Sequence, residues 1–438
     1  MSDTISKLNA LGLGVPDILI PRPGTDLEKW AVVACDQYTS EKEYWQSVDA
    51  FVGSAPSTLR LVFPEAYLDD PDTETRIRNI NRKMTEYVES DLFATYPESF
   101  FLVHRETGPS SGRWGLVVCL DLDCYDFSKS SRTLIRATEG TILSRIPPRK
   151  RIRKDVPLEL PHILVLINDA KHTVIEPLVA MKDGLEPVYH TDLMKNGGKI
   201  SAYRVHGEKL LGQVALAFKT LHAALDPANP LLFAMGDGNH SLATAKSCWE
   251  DIKSSLDEEE RQHHPARYAM VELENIFDPG LEFEPIHRVL FNIDASTFFN
   301  QLSRFCEKYD EKPASSLEQL VKTIEKRDGK QRFGYADADG LRIVTVDTPC
   351  ATISAGTLQS VIDSLLENHG KGHVDYIHGI DVTMNLGSKP GNIGLFLPVI
   401  DKKTFFDTIV KDGALPRKTF SMGEAHEKRY YMEARKIR

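Results

Sequence analysis

The chain has 438 residues, 41% of them hydrophobic, and a formal net charge of −10. That length buries a large core over two or three domains, while the acidic balance argues against nucleic acid as a main partner, since backbone binding needs a net basic footprint. No apolar run approaches the roughly 18 residues of a membrane span, no signal-peptide core is present, and Cys35, Cys119, Cys124, Cys248, Cys306 and Cys350 lack paired zinc-type spacing, which reads as a cytoplasmic protein with reduced thiols.

Along the chain, Trp30 to Ala34 is a strand-like run that ends in Cys35-Asp36-Gln37-Tyr38. Four reactive or hydrogen-bonding side chains at a strand end mark a site-forming loop. A helix is expected from Ser40, with Glu43 at capping-box spacing, and a long charged surface helix from Thr73 to Leu92. Ser99 to His104 and Trp114 to Leu122 flank Gly108-Pro109-Ser110-Ser111-Gly112 as a hairpin. Thr133 to Pro148 holds a strand candidate interrupted by Arg136 and Glu139, after which comes the basic stretch Arg145 to Lys154. His162 to Ile167 and Val174 to Ala180 read as two strands turning at Asn168-Asp169.

Apolar residues close to a 3.6 period predict a helix from Lys209 to Leu225. Leu231 to Met235 is a short buried strand, and Ser241 to Lys253 an alanine-rich helix, so Met235-Gly236-Asp237-Gly238-Asn239-His240-Ser241 sits at a strand-to-helix junction. Strands follow at Arg267 to Leu273 and Leu281 to Pro285, then a helix-poor charged region. The remainder predicts a helix at Ser316 to Lys326, a hairpin around Asp337-Ala338-Asp339-Gly340, a helix at Thr357 to Asn368, a strand at Gly391 to Val399 and a helix at Lys402 to Lys411. The fold class is α+β with a mixed, largely antiparallel sheet, because the strands of 99–122 form a hairpin and those of 162–180 are too close for crossover connections.

Gly236 and Gly238 let the backbone approach an anion, and the following helix presents unpaired N–H groups and partial positive charge to phosphate oxygens. Asp237 and Asn239 are the candidate metal ligands, and His240 the candidate donor to a phosphate oxygen. The alternative is a tight turn with Ser241 as an ordinary helix N-cap.

Met235 to Lys246 resembles the aspartate-glycine-histidine-histidine-arginine segment and alanine-containing helix of the DUF1015 family, which is related to the ParB and sulfiredoxin-like fold. Archaeal free serine kinases are similar in fold and in this loop. Val33 to Tyr38 resembles the family's N-terminal loop, Glu284-Pro285-Ile286-His287-Arg288 its proline-x-histidine-arginine segment, and Leu415 to Phe420 its proline-x-lysine-serine-threonine segment. One departure stands in the loop: Ser241 occupies the place of the family's arginine, so a phosphate-clamping guanidinium is missing. Arg132, Arg136, Arg288 and Lys418 are the candidate replacements.

The resemblance implies an N-terminal region 1–95 that contributes a site loop, a ParB-like core 96–300 with the glycine loop, and a C-terminal α+β domain 301–438. It implies a nucleotide-dependent phosphotransferase acting on a small hydroxyl-bearing metabolite such as L-serine, with ADP or ATP as donor, Mg²⁺ at Asp237 or Asn239, and a homodimer as a compatible assembly. Glu139 takes the place of the kinases' glutamate base; its alternative role is an ion pair with Arg136. Cys35 reads as a buried thiol, because sulfiredoxin's cysteine lies inside the glycine loop, where this chain has Asn239 and His240. A nucleotide-binding switch or interaction protein without kinase activity is the competing reading.

Overall fold

The computed structural model describes residues 3–107, 112–368 and 372–438. Two compact units result: one runs to Glu282 and takes in Gly423–Arg438, and the other is Phe283–Met422. This differs from the three segments expected from sequence. Residues of the first 95, including Ile18, Trp30, Trp45 and Met84, share one core with Phe101, Val117, Ile200 and Tyr431, so neither the N-terminal region nor the C-terminal segment stands apart from the central sheet.

That sheet runs in the order Glu186–Asp192, Lys199–His206, Ser99–Glu106, Arg113–Asp121, Tyr268–Asn275, Leu164–Ile167, Phe233–Asp237, Ile135–Arg136, Tyr125–Asp126. Most neighbours are antiparallel. The exceptions are Tyr268–Asn275 beside Leu164–Ile167, and Ile135–Arg136 beside both Phe233–Asp237 and Tyr125–Asp126, which run parallel. Successive side chains of a strand point to opposite faces. Thus Phe101, Val103, Val117 and Cys119 enter one core, and Phe100, Leu102, Leu116 and Val118 enter a second. Burial on both faces explains why these strands read as continuous apolar runs.

The second unit carries a six-stranded antiparallel path from Tyr309–Pro313 through Gly340–Val346, Gln331–Asp337, Asn392–Phe396 and Glu284–Phe291 to His373–His378. Helices Ala295–Phe305 and Ser354–Asn368 supply Phe298, Leu302, Leu358 and Ile362 to its core. Among the described residues no helix is long and apolar enough to cross a membrane.

The long helix at Thr73–Glu89, the paired strands at 99–106 and 113–121 and the helix Gly207–Ala223 match the elements expected there. Residues 108–111 of the hairpin turn lie outside the described residues. Elsewhere local chemistry overrides the apolar pattern. Trp30 ends a short helix, Leu27–Trp30, because the Asp26 carboxylate accepts the Lys29 N–H at 3.3 Å. Only Val33 keeps a strand-like bridge, to Tyr430. The next helix starts at Lys42 with Glu41 as an N-cap that makes no side-chain bond, so the box at Ser40 and Glu43 does not form.

Val174 to Ala180 is not a strand. Asp169 accepts the N–H groups of Thr173 and Val174 at 2.5 and 2.8 Å, which tightens the chain into the helix Glu176–Ala180 with Pro177 in its first turn. The strand sought in 133–148 shrinks to Ile135–Arg136, and the basic stretch becomes the helix Ile146–Arg153. The strand placed at Leu281 to Pro285 is instead Glu284–Phe291, and the region taken as helix-poor holds Ala295–Phe305, capped by Asp294.

Candidate functional site

The strand Phe233–Asp237 leaves the sheet with a register irregularity between Met235 and Asp237. Gly238 follows with φ of 80°, in the left-handed region, and a Cβ there would stand 3.1 Å from Ile163 Cγ1 and 3.2 Å from Ile163 Cα. Both backbone angle and space therefore demand glycine. The helix Asn239–Lys253 begins at once: the Ser241 and Leu242 N–H groups donate to the Gly238 carbonyl at 3.0 and 3.1 Å. Ser241 is thus inside the first turn and is not its N-cap. The N–H groups of Asn239 and His240 precede the first intrahelical bonds and point out of the helix start, the arrangement that receives anions.

The segment carrying Glu139 lies against this helix start. Thr138 N–H donates to Asn239 Oδ1 at 3.2 Å, its hydroxyl donates to the Met235 carbonyl at 2.6 Å, and Ile142 N–H donates to His240 Nε2 at 3.2 Å. Glu139 is half-buried between those two anchors. With Nε2 accepting, His240 carries its proton on Nδ1. Burial, then the cations Arg149 and Arg145, hold its pKa down to about 4, so the ring is neutral at physiological pH and acts as a donor without charge.

Asp237 is tied on both oxygens. Gly238 N–H donates to Oδ1 at 2.8 Å and the Lys428 ammonium stands 3.3 Å from Oδ2. Burial pushes this carboxyl up, but Lys428, the Gly238 N–H and His162 together hold it below the ordinary carboxylate range. Asn239 Oδ1 is likewise occupied by Thr138. As arranged, Asp237 and Asn239 do not fit a magnesium site: an ammonium already faces the only carboxylate of the pair, and a hard dication there would meet it.

The loop Cys35-Asp36-Gln37-Tyr38 reaches the same place through His162. His162 Nε2 is 2.9 Å from Ser241 Oγ and 3.9 Å from Asp36 Oδ2, while its Nδ1 is 3.0 Å from the Tyr431 hydroxyl. That hydroxyl accepts the Cys35 N–H at 3.1 Å. Gln37 donates to Asp36 at 3.0 Å, and Tyr38, at φ of 52°, stacks on Tyr44 with centroids 3.7 Å apart. Burial, with Asp36 and Glu65, drives the Cys35 thiol far above its ordinary pKa, so it is no nucleophile at neutral pH.

Of the proposed replacements for the missing guanidinium, Arg132 and Arg136 belong to the first unit, where Arg132 is exposed, and Arg288 and Lys418 belong to the second. Arg136 donates to the carbonyls of Thr133 at 2.8 Å and Pro230 at 2.5 Å, fastening the start of the strand whose far end carries the loop. Arg288 is wholly buried in the second unit, donating to the Ile286 carbonyl and lying 5.1 Å from the Tyr376 ring centroid. Lys418 is exposed in that same unit. The cations around the helix start are Lys428, Arg149 and Arg145. Arg149 is paired with Glu65. Sequence reading missed His162, Tyr431, Lys428 and Arg149 as site residues; the signals present were the basic stretch 145–154 and the cluster His426-Glu427-Lys428-Arg429.

No functionally curated protein matches the chain. Among solved structures it is similar to a free serine kinase in complex with AMP, at 11% identity over 73% of this chain and 92% of that one, with a TM-score of 0.38. It is similar also to a variant of such a kinase in complex with ADP, at 10% identity, 76% and 95% coverage and a TM-score of 0.39. SbnI with a C-terminal truncation, from Staphylococcus aureus, is similar at 8% identity, 70% and 82% coverage and a TM-score of 0.35. The model of DUF1015, a protein family of unknown function, matches residues 19–365, and with most of its length so matched the chain belongs to that family.

Proposed function

We propose that the chain is a nucleotide-dependent phosphotransferase acting on a small hydroxyl-bearing metabolite, in the manner of a free serine kinase. The observation that carries this reading is the pair of bonds from Thr138 and Ile142 to Asn239 and His240, which seats the Glu139 segment on an anion-receiving helix start. Phosphates of ADP or ATP rest on the N–H groups of Asn239 and His240, with the neutral His240 Nδ1–H, Ser241 and Lys428 around them. Lys428 and Arg149 supply the positive charge that an arginine at position 241 would have brought.

Glu139 takes the proton of the acceptor hydroxyl as its oxygen bonds to phosphorus. The bond from that phosphorus to the nucleotide oxygen breaks, and the shortened nucleotide leaves with the electron pair. Little covalent chemistry falls to the protein; positioning and fixed charge do the work. The test is Glu139→Gln. It should leave nucleotide affinity nearly unchanged and cut phosphoryl transfer, followed by ³¹P NMR, by roughly a hundredfold or more. Undiminished transfer removes Glu139 from the base role.

A further inference from the structure

Alongside the first two turns of the helix Asn239–Lys253 lies a cavity of about 150 Å³. Most of its wall is hydrocarbon, from Leu61, Val62, Phe63, Met84, Ile152 and Met270 among others. Its remaining polar lining is not scattered. Cys35, Tyr431, His162 and Ser241 form one connected chain, and the paired Glu65 and Arg149 adjoin it, the Glu65 N–H donating to the Cys35 carbonyl at 2.8 Å. A second charged pair on the wall, Arg153 and Glu159, is already engaged, since Glu159 also accepts Arg435 and the Met270 N–H, both at 2.8 Å. The cavity therefore has a polar side at the glycine-loop helix and an apolar body behind it.

An apolar cavity of this volume holds roughly one benzene ring. A ligand as polar as L-serine would leave part of that space unfilled, and the charged groups on the wall are already paired with one another, so the desolvation of its ammonium and carboxylate is poorly repaid. We propose that this cavity is a binding pocket for an alcohol or hydroxy acid whose hydrocarbon body matches a phenyl ring or a branched five-carbon chain, with its oxygen end at His162 and Ser241. Assigning the occupant as phosphoryl acceptor rests on the phosphotransferase reading; the binding itself does not.

The experiment titrates the full-length protein, labelled with ¹³C in the methionine methyl groups, with benzyl alcohol and 3-methyl-1-butanol, and separately with glycerol and L-serine. Met84 and Met270 line the cavity and are assigned by single replacement with leucine. The expected result is saturable shifts of both methyl signals with the two apolar alcohols alone. Ala245→Leu, which fills the cavity wall, should weaken them at least tenfold, and Val62→Leu repeats the test if the first variant does not fold. Overturning results are no saturable shift with either apolar alcohol, shifts unaffected by the filling variants, or tighter binding of glycerol or L-serine. A parallel titration with ADP and ATP keeps the two ideas apart. Nucleotide binding without alcohol binding sinks the pocket assignment alone, whereas alcohol binding without nucleotide binding sinks the phosphotransferase reading and leaves the pocket standing.

Discussion

Gly238→Ala tests the geometry of the loop most directly, and Gly207→Ala provides its internal standard. Both glycines have φ of 80° and both precede or begin a helix of the same unit, but a Cβ at position 207 meets nothing within 4 Å, whereas one at 238 meets Ile163. Alanine at 207 therefore reports the left-handed penalty alone. That penalty is about 1–2 kcal/mol, reduced by the lower entropy of the unfolded alanine chain to a net of about 1 kcal/mol. At 238 the same penalty applies, and the neighbour cannot withdraw: the Ile163 carbonyl accepts the Glu272 N–H at 3.0 Å, which pins its Cα in the sheet. A contact that tight against backbone adds about 1 kcal/mol more. By calorimetry, with about 2 °C per kcal/mol for a unit of this size, Gly207→Ala should lower the first unit's Tm by about 2 °C and Gly238→Ala by about twice as much. Displacement at 238 also turns the Asn239 and His240 N–H groups, so ADP affinity should fall at least tenfold in that variant only. A Gly238→Ala protein no less stable than Gly207→Ala, with ADP affinity intact, would refute the account of the loop.

Lys428→Met strands the Asp237 carboxylate and should cost about 2 kcal/mol, while the double variant with Asp237→Asn should recover most of that loss; chemical denaturation of the three variants decides whether the pair is coupled. His240 titrates near 6.5 when unfolded and near 4 when folded. Between those values only the unfolded chain gains the proton, so stability falls as pH drops from about 6.5 to 4, and His240→Gln should flatten that part of a Tm-against-pH profile. Iodoacetamide at neutral pH should modify the exposed Cys350 readily and the half-buried Cys35 slowly, because the Cys35 thiol is held in its protonated form; mass spectrometry showing early labelling at Cys35 would contradict that.

The strand-turn-helix of 233–253 was legible because its signals are local: two glycines after an apolar run and alanines at helical spacing. The same local logic failed at Val174 to Ala180, where the carboxylate of Asp169, five residues back, diverts an apolar run into a helix. Glu139 was singled out only through resemblance, and what seats its segment is a pair of hydrogen bonds across about a hundred residues. His162 looked like the first residue of an apolar strand, and nothing beside it in sequence announces that both ring nitrogens are bound by Ser241 and Tyr431. The guanidinium missing at position 241 was sought among single basic residues at Arg132, Arg136, Arg288 and Lys418. The nearby charge comes instead from a basic helix and from Lys428, whose position depends on the path of the chain.

The first unit is interrupted by the second, and Lys428 and Tyr431 belong to the segment Gly423–Arg438 that follows the interruption. On a ribosome the glycine loop emerges well before the residues that neutralise Asp237 and hold His162. At roughly 5–20 residues per second, translating the intervening unit takes on the order of ten seconds. Throughout that interval the nascent chain carries Asp237 without its cation and the Trp30 indole without the Met432 carbonyl it donates to at 2.9 Å. The surroundings of the loop, and the core that Met432 completes, are therefore finished only after synthesis has passed the inserted unit.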